Sequence, residues 1–443
     1  MTSLPVTVMR AKPPRRAGTG PRDSATVVPM TDGRSSGGPG PRRTLPALLG
    51  PAFVAAVAYV DPGNVAANVT AGARYGYLLV WVLVCANTMA VLVQYLSARL
   101  GLVTGRSLPE LVGDRLRRGP RLAYWAQAEL VAVATDLAEV IGGALALRLL
   151  FGVPLLAGGA IVGLVSLGLL AVQSRGGQRP FELVVVGLLL VVAGGFLVGL
   201  FVAPVSWPQA AEGMVPRLAG GETVLLAASM LGATVMPHAV YVHSSLVRDR
   251  AAGGENGDTP LPRLLQATRW DVVGSLGLAG TVNLAMLVLA AAALHGVGGT
   301  DTIEGAHSAI QEALGPAIGV AFGIGLLASG LASTSVGAYA GAEIMAGLLR
   351  VRVPMLARRA VTLIPALVLL AMDVDPTWAL VLSQVLLSFG IPFALVLLVR
   401  LNTDPDVMGT HTASVPLRVA AWAVVAAIVA LNVGLIVTTL AGG

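Results

Sequence analysis

The sequence predicts an all-α membrane protein of two inverted five-helix repeats, with broken first and sixth helices, plus an eleventh transmembrane helix. Three observations carry this reading. The 443 residues are 55% hydrophobic and only 12% charged, about half the charged fraction of a soluble domain. Eleven apolar segments of spanning length follow one another, with arginines concentrated in alternate loops. The first and the sixth of these segments are each interrupted midway by a proline beside polar residues.

The segments centre near Asp61, Thr88, Asp136, Val162, Val191, Met236, Leu284, Ala328, Leu363, Gln384 and Val425. They are preceded by a tail over residues 1–45, rich in Pro, Gly, Ser, Thr and Arg and without an apolar stretch long enough for a signal-peptide core. The tail is expected to be disordered and cytoplasmic. Residues 46–443 form the membrane domain: the first repeat about 46–205, the second about 220–402, the extra helix about 416–440.

Orientation follows from the loops. One set holds Arg106 to Arg121, then Arg175 and Arg179, Arg248 to Arg269, Arg350 to Arg359, and finally Arg400 and Arg418. The opposite set holds little beyond Arg74, Arg148 and Arg217. Lysine and arginine favour the cytoplasmic side, so the N-terminus is inside and, after eleven spans, the C-terminus is outside. The polar stretch Asn256-Gly257-Asp258 then lies in an internal loop too short for a second domain.

Several functions are excluded. The net charge of +6 is spread over short loops without interleaved aromatics, so it marks topology and not nucleic-acid binding. The single lysine, Lys12, precedes proline, so the chain carries no Walker A site for a nucleotide. Cys85 is the only cysteine and cannot form an internal disulfide. A His-Glu-x-x-His motif is missing, and the Gly-x-Ser-x-Gly string at Gly33-Arg34-Ser35-Ser36-Gly37 falls in the tail, outside every apolar segment, which argues against an intramembrane enzyme.

The chemistry concentrates at the breaks. Asp61-Pro62-Gly63-Asn64 lies in the middle of the first span. Proline removes a backbone donor and glycine adds freedom, so the helix opens and leaves unpaired backbone groups. Such groups are tolerated at membrane depth only where they line a cavity or meet a partner. A carboxylate there costs roughly 2.5–3.5 kcal/mol on insertion scales, and the combination outlines a cation site. Gly232-Ala233-Thr234-Val235-Met236-Pro237-His238 repeats the pattern five helices later. Five is odd, so the second half inserts upside down, which points to an inverted-repeat secondary transporter with its site where the breaks meet. Asp61 and Asn64 offer hard oxygens and Met236 a thioether. That set suits Mn2+, Fe2+ or another divalent transition metal better than Mg2+ or Ca2+.

His238, beside the second break, has two readings: a proton relay or gate, and a hydrogen-bonded structural histidine. His243 reads as structural, while His295, His307 and His411 fall in or near loops and carry no signal. The third span holds Glu129, Asp136 and Glu139. The first two are about 20° apart around the helix and Glu139 about 60° from Asp136, so all three share a face. Such a row can carry protons, and it can equally pair with Arg358 and Arg359, which open the ninth span.

These residues resemble the Nramp family of metal-ion transporters. The likeness rests on Ala58-Tyr59-Val60-Asp61-Pro62-Gly63-Asn64 and on Met236 through Ser244. It continues in Thr135 through Gly142, in Asn283 through Leu287 and in Leu382 through Leu395. It implies a LeuT-type fold in a plasma membrane and proton-coupled uptake of Mn2+, with Fe2+ and Cd2+ also accepted. It implies metal ligation by Asp61, Asn64 and Met236, with carbonyls of Ala58 and Ala233 contributing in some states and Gln384 in the occluded state. Glu139, Asp136 and His238 match positions of proton handling; Glu129, Arg358 and Arg359 match a polar network leading inward. No cofactor is implied beyond the transported metal and protons, and a monomer is compatible with the sequence. Where the family commonly has Ala-Gly-Gln, this chain reads Ala340-Gly341-Ala342-Glu343, a departure near the inner gate. The rival readings are an amino-acid or amine transporter of the same fold and a passive metal channel.

Overall fold

The computed structural model describes residues 50–176, 178–252 and 259–440, with the backbone alone over 172–182. The expectations for the tail and for Asn256-Gly257-Asp258 lie outside these residues. Among the described residues the regular structure is entirely helical.

The chain enters through α1 (Pro51–Val57), whose first amides are capped from a distance. Asp271 accepts from Gly50 N at 3.1 Å and from Ala52 N at 3.0 Å. A 3₁₀ turn over Ala58–Val60 ends at Asp61, and α2 (Pro62–Tyr75) restarts the helix. Asp61 is its N-cap and Pro62 its first residue, an arrangement favoured because proline's missing N–H is one that helix starts leave unpaired anyway. Next come α3 (Val80–Thr104), the short α4 (Leu108–Arg115) with a Ser107/Glu110 capping box, and α5 (Arg118–Phe151). The first half closes with α6 (Leu155–Gly176), α7 (Gln178–Val202) and α8 (Trp207–Glu212).

The second half opens with α9 (Gly221–Thr234) and α10 (Pro237–Ala252), separated at Val235 and Met236. It continues through α11 (Leu261–Ala293), α12 (Ile303–Leu314) and α13 (Pro316–Ile344), which ends in a π turn over Met345–Leu349. Then follow α14 (Met355–Ala371), α15 (Pro376–Thr403), α16 (Pro405–Met408) and α17 (Val415–Leu440).

Eight described helices are long and apolar enough to cross a membrane, and Pro51–Val60 and Leu155–Ala171 are shorter apolar helices. The remaining segments read from the sequence correspond to α1 with α2, α6 and α14, which are broken, shorter or charged.

The packing brings the breaks together. α1 lies beside α10 and α2 beside α9; α3 packs on α11, α5 on α13 and α6 on α14. α15 packs on α9 and α5, and α17 on α9 and α15. Close approach depends on missing side chains: Gly142 of α5 faces Pro62, and Gly72 of α2 faces the carbonyl of Leu287 on α11. Large apolar residues such as Leu164, Leu183, Phe201 and Leu440 are exposed on the outer faces of α6, α7 and α17. That surface fits hydrocarbon better than water. The interior instead buries Asp61, Asn64, Asp136, Glu139, His238, Arg358, Arg359 and Gln384.

Candidate metal site and its carboxylate–arginine network

Two opened carbonyls at the first break have donors from other helices. Asn283 of α11 donates Nδ2 to the carbonyl of Tyr59 at 2.7 Å, and Ser329 of α13 donates its hydroxyl to that of Val60 at 2.5 Å. Asn68 reinforces the first contact by donating to Asn283 Oδ1 at 3.1 Å. The break is therefore held, and its backbone is not left to find water.

Asp61 and Asn64 form one unit. The carboxylate Oδ1 accepts from the Asn64 backbone N–H at 2.7 Å and from Asn64 Nδ2 at 2.9 Å. The same Nδ2 reaches across to the carbonyl of Ala233, on α9, at 2.8 Å. That bond joins the two breaks. Met236 sits three residues further along, fully buried between α9 and α10. Gln384 of α15 lies against Gly63, where a Cβ would overlap its side-chain amide. Ala58 is buried in the 3₁₀ turn one residue before Tyr59.

What these groups leave unpaired is informative. Asp61 Oδ2, Asn64 Oδ1 and Gln384 Oε1 are buried and complete no hydrogen bond. Buried polar atoms without partners are rare and costly. Here all three are oxygen acceptors, and they sit on residues converging from α2 and α15 at the junction with α9. Among the described residues no group of three or more His, Cys, Asp or Glu could hold a metal. A cation here would meet one carboxylate and neutral oxygens.

The third-span carboxylates do share one face, and that face meets α14. Arg358 Nη2 lies 2.9 Å from Glu129 Oε1, and its Nη1 lies 3.5 Å from Asp136 Oδ2. Arg359 Nη1 lies 2.7 Å from Asp136 Oδ1 and 3.2 Å from Glu139 Oε2. The fully buried Arg359 also donates to Thr334 of α13 at 3.1 Å and to Ser166 of α6 at 3.3 Å. Space for this layer comes from α13. A Cβ at Gly337 would stand 2.8 Å from Glu139 Oε1, and one at Gly341 would overlap the Arg358 guanidinium. Glu139 Oε1 and Glu129 Oε2 keep no hydrogen-bond partner.

His238 is next to this layer. Its Nδ1 is 3.3 Å from Thr135 Oγ1, while Nε2 has no partner. His243 belongs to a separate buried chain: its Nδ1 meets Gln94 Oε1 at 2.8 Å, and Gln94 Nε2 donates to the Tyr59 hydroxyl at 2.6 Å. His307 lies within α12, where its Nε2 meets the carbonyl of Gly319 at 3.1 Å.

Glu343, at the departure from the family pattern, pairs with Arg248 of α10 at 3.0 Å. Arg248 also holds Glu110 of α4 at 2.8 Å, so Glu343 ties α13 into the contact between α10 and α4. At the opposite end, a cavity of about 360 Å³ is lined in part by Thr70, Arg74, Glu222, Asp301, Asp375 and Val381. Val381 is three residues, just under one turn, from Gln384. Sequence reasoning missed Asn68, Gln94, Ser166, Ser329 and Thr334, single polar residues in apolar helices whose partners are distant in the chain.

A helical membrane protein with two interrupted helices meeting at a buried, acceptor-rich site is a secondary transporter in architecture. The chain belongs to the Nramp family: residues 52–438 match its model, described as natural resistance-associated macrophage protein-like. It is similar to the divalent metal cation transporter MntH of Mycobacterium tuberculosis, at 59% identity over 395 residues, 89% of this chain and 92% of that one. Its structure is similar to that of the Eremococcus coleocola manganese transporter, with a TM-score of 0.78 and 30% identity, covering 88% of this chain and 86% of that one. MhsT, at 14% identity with a TM-score of 0.58 over 88% of this chain and 98% of its own, shares the fold alone. The fold class is the LeuT-type fold expected from the resemblance.

Proposed function

We propose that this chain is a proton-coupled importer of divalent transition-metal ions, with Mn2+ its main substrate and Fe2+ and Cd2+ also carried. It is a transporter and not an enzyme, in keeping with its family. The observation that carries the reading is the trio of unpartnered buried oxygens on Asp61, Asn64 and Gln384. Desolvated acceptors without donors are stabilised by a cation. Asp61, Asn64 and Met236 would ligate it, joined by the carbonyls of Ala58 or Ala233 in some states and by Gln384 when the site closes. A single carboxylate among neutral donors suits transport, since a carried ion must also leave.

Protons would use the neighbouring layer. Three carboxylates, Glu129, Asp136 and Glu139, face two guanidiniums, those of Arg358 and Arg359. With every group ionised the layer carries one excess negative charge, which a single proton would neutralise. Glu139, with its unpartnered Oε1, is the proton carrier in this reading. Asp136 and His238 assist, and Glu129, Arg358 and Arg359 continue the route inward.

The topology is eleven spans in a plasma membrane, N-terminus cytoplasmic and C-terminus outside, with repeats at about 46–205 and 220–402 and the added helix at about 416–440. The packing supports the two repeats: spans of equal rank in the two halves lie together, α3 on α11, α5 on α13 and α6 on α14. No cofactor and no second subunit enter this reading. Uptake of Mn2+, Fe2+, Cd2+, Mg2+ and Ca2+ by proteoliposomes, with and without an inward proton gradient, tests it. The expected result is Mn2+ entry that the gradient accelerates; gradient-independent flux would make the chain a passive channel.

The amino-acid reading of the same fold is disfavoured by the same trio. A substrate carboxylate needs donors, and the unpartnered oxygens here are acceptors.

A further inference from the structure

α17 lies outside the ten core helices, yet it carries one buried amide. Asn432 is 5% exposed in a helix whose neighbouring residues Val429, Val433, Ile436 and Val437 face outward. An amide in the middle of an apolar helix is costly unless it finds partners. Asn432 finds two, both on Ser388 of α15. Its Nδ2 donates to the Ser388 carbonyl at 2.8 Å, and its Oδ1 accepts from the Ser388 hydroxyl at 2.9 Å.

The Ser388 carbonyl needs that donor for a reason written in α15 itself. In an unbroken helix it would accept from the N–H four residues on. That residue is Pro392, which has no N–H. Ser388 is fully buried, so its carbonyl has no water to turn to. The amide of α17 replaces the missing helical bond.

The same turn of α15 aims Gln384. Residues 384 and 388 are one turn apart on one face. The turn is seated on α9 at Gly232, where a Cβ would overlap the Gln384 carbonyl and meet Ser388 N at 2.9 Å. Gly232 is the residue before Ala233, and Gln384 itself lies against Gly63. Ser388 therefore cannot shift without moving Gln384 relative to both breaks.

We propose that Asn432 is a positioning residue for metal transport: through Ser388 it fixes the proline-weakened turn of α15 so that Gln384 is presented to the metal. The inference rests on the reading of Gln384 as a ligand. α17 is thus part of the substrate site at one remove, although none of its residues touches the metal.

A double-mutant cycle in proteoliposomes tests this, reading Mn2+ KM and maximal rate per reconstituted molecule. Gln384→Ala and Asn432→Leu are each expected to raise KM about five- to tenfold. Because both act through one side chain, Gln384→Ala/Asn432→Leu should match Gln384→Ala alone. Effects that multiply, or an unchanged KM in Asn432→Leu beside an impaired Gln384→Ala, overturn the positioning role and leave the ligand intact. An unimpaired Gln384→Ala overturns the ligand reading and this inference together. If Asn432→Leu does not insert, Ser388→Ala removes only the hydroxyl half of the contact and leaves the carbonyl bonded. A raised KM that adds nothing to Gln384→Ala supports positioning; an unchanged KM, or one that multiplies with Gln384→Ala, overturns it.

Discussion

Asn64 donates twice to a single carboxylate oxygen of Asp61, from its backbone at 2.7 Å and from its side-chain amide at 2.9 Å. The first bond caps α2 and the second turns the amide, so that Asn64 Oδ1 and Asp61 Oδ2 are both left without donors. The helix start thus orients the two oxygens assigned to the metal. Asp61→Asn keeps the size and loses the charge. Its expected effect is a loss of Mn2+ uptake of at least about a hundredfold, because the attraction for a divalent ion in a dehydrated site is Coulombic. Expression and thermal stability should stay near wild type. Uptake assays on the purified, reconstituted variant check both, and near-normal uptake would remove the site.

In the proposed site, the thioether of Met236 is the donor expected to set which cations are refused. Met236→Ala deletes the one donor that hard ions use poorly. Cd2+ affinity should fall by about tenfold or more, Mn2+ affinity less, while Ca2+ or Mg2+ begins to compete. Competition of each ion against Mn2+ uptake measures this. Continued refusal of Ca2+ and Mg2+ would assign selectivity to another residue.

Glu139→Gln separates the two fluxes. It removes a titrating group while keeping volume and most hydrogen bonding, so Mn2+ affinity should change little. Proton entry and the pH dependence of uptake should weaken, since nothing at that position then binds and releases a proton. Parallel recording of Mn2+ uptake and internal pH decides. Equal loss of both fluxes, or of folded protein, would reduce Glu139 to a structural partner of Arg359.

Gly341→Ala places a methyl where the Arg358 guanidinium lies. The guanidinium must leave its position between Glu129 and Asp136, and displacing one partner of buried charges costs about 3–5 kcal/mol. A large fall in melting temperature is expected, with proton-driven uptake lost in whatever protein survives. Differential scanning fluorimetry in detergent and uptake under a pH gradient provide the readouts. An unaffected variant would show that α13 yields there without disturbing the network.

The parts legible in the sequence were those written in local rules. Asp61 before Pro62 is an N-cap followed by its preferred first residue, and the structure has that geometry. Glu129, Asp136 and Glu139 share a face because a helix repeats every 3.6 residues, and Arg358 and Arg359 were the cations within reach. The rest depended on pairs far apart in the chain. Nothing near Asn283 announces that it will hold the Tyr59 carbonyl, and nothing near Thr334 or Ser166 announces Arg359. The Gly341 position required knowing which guanidinium would fill it. His307, read as lying in or near a loop, sits inside α12, since that connection builds a helix of its own.

The missing side chain at Gly63 has a consequence for how this site can vary. The volume that a side chain would occupy there is already taken by the amide of Gln384. The two positions, in opposite halves of the chain, therefore share one allotment of space. A methyl added at 63 would turn the Gln384 amide out of its seat while leaving Asp61, Asn64 and Met236 chemically unaltered. A lineage that changes residue 63 must find a shorter residue at 384 in the same step, or lose the seated arrangement. The pair is in that sense inherited as one unit, although 320 intervening residues separate its members.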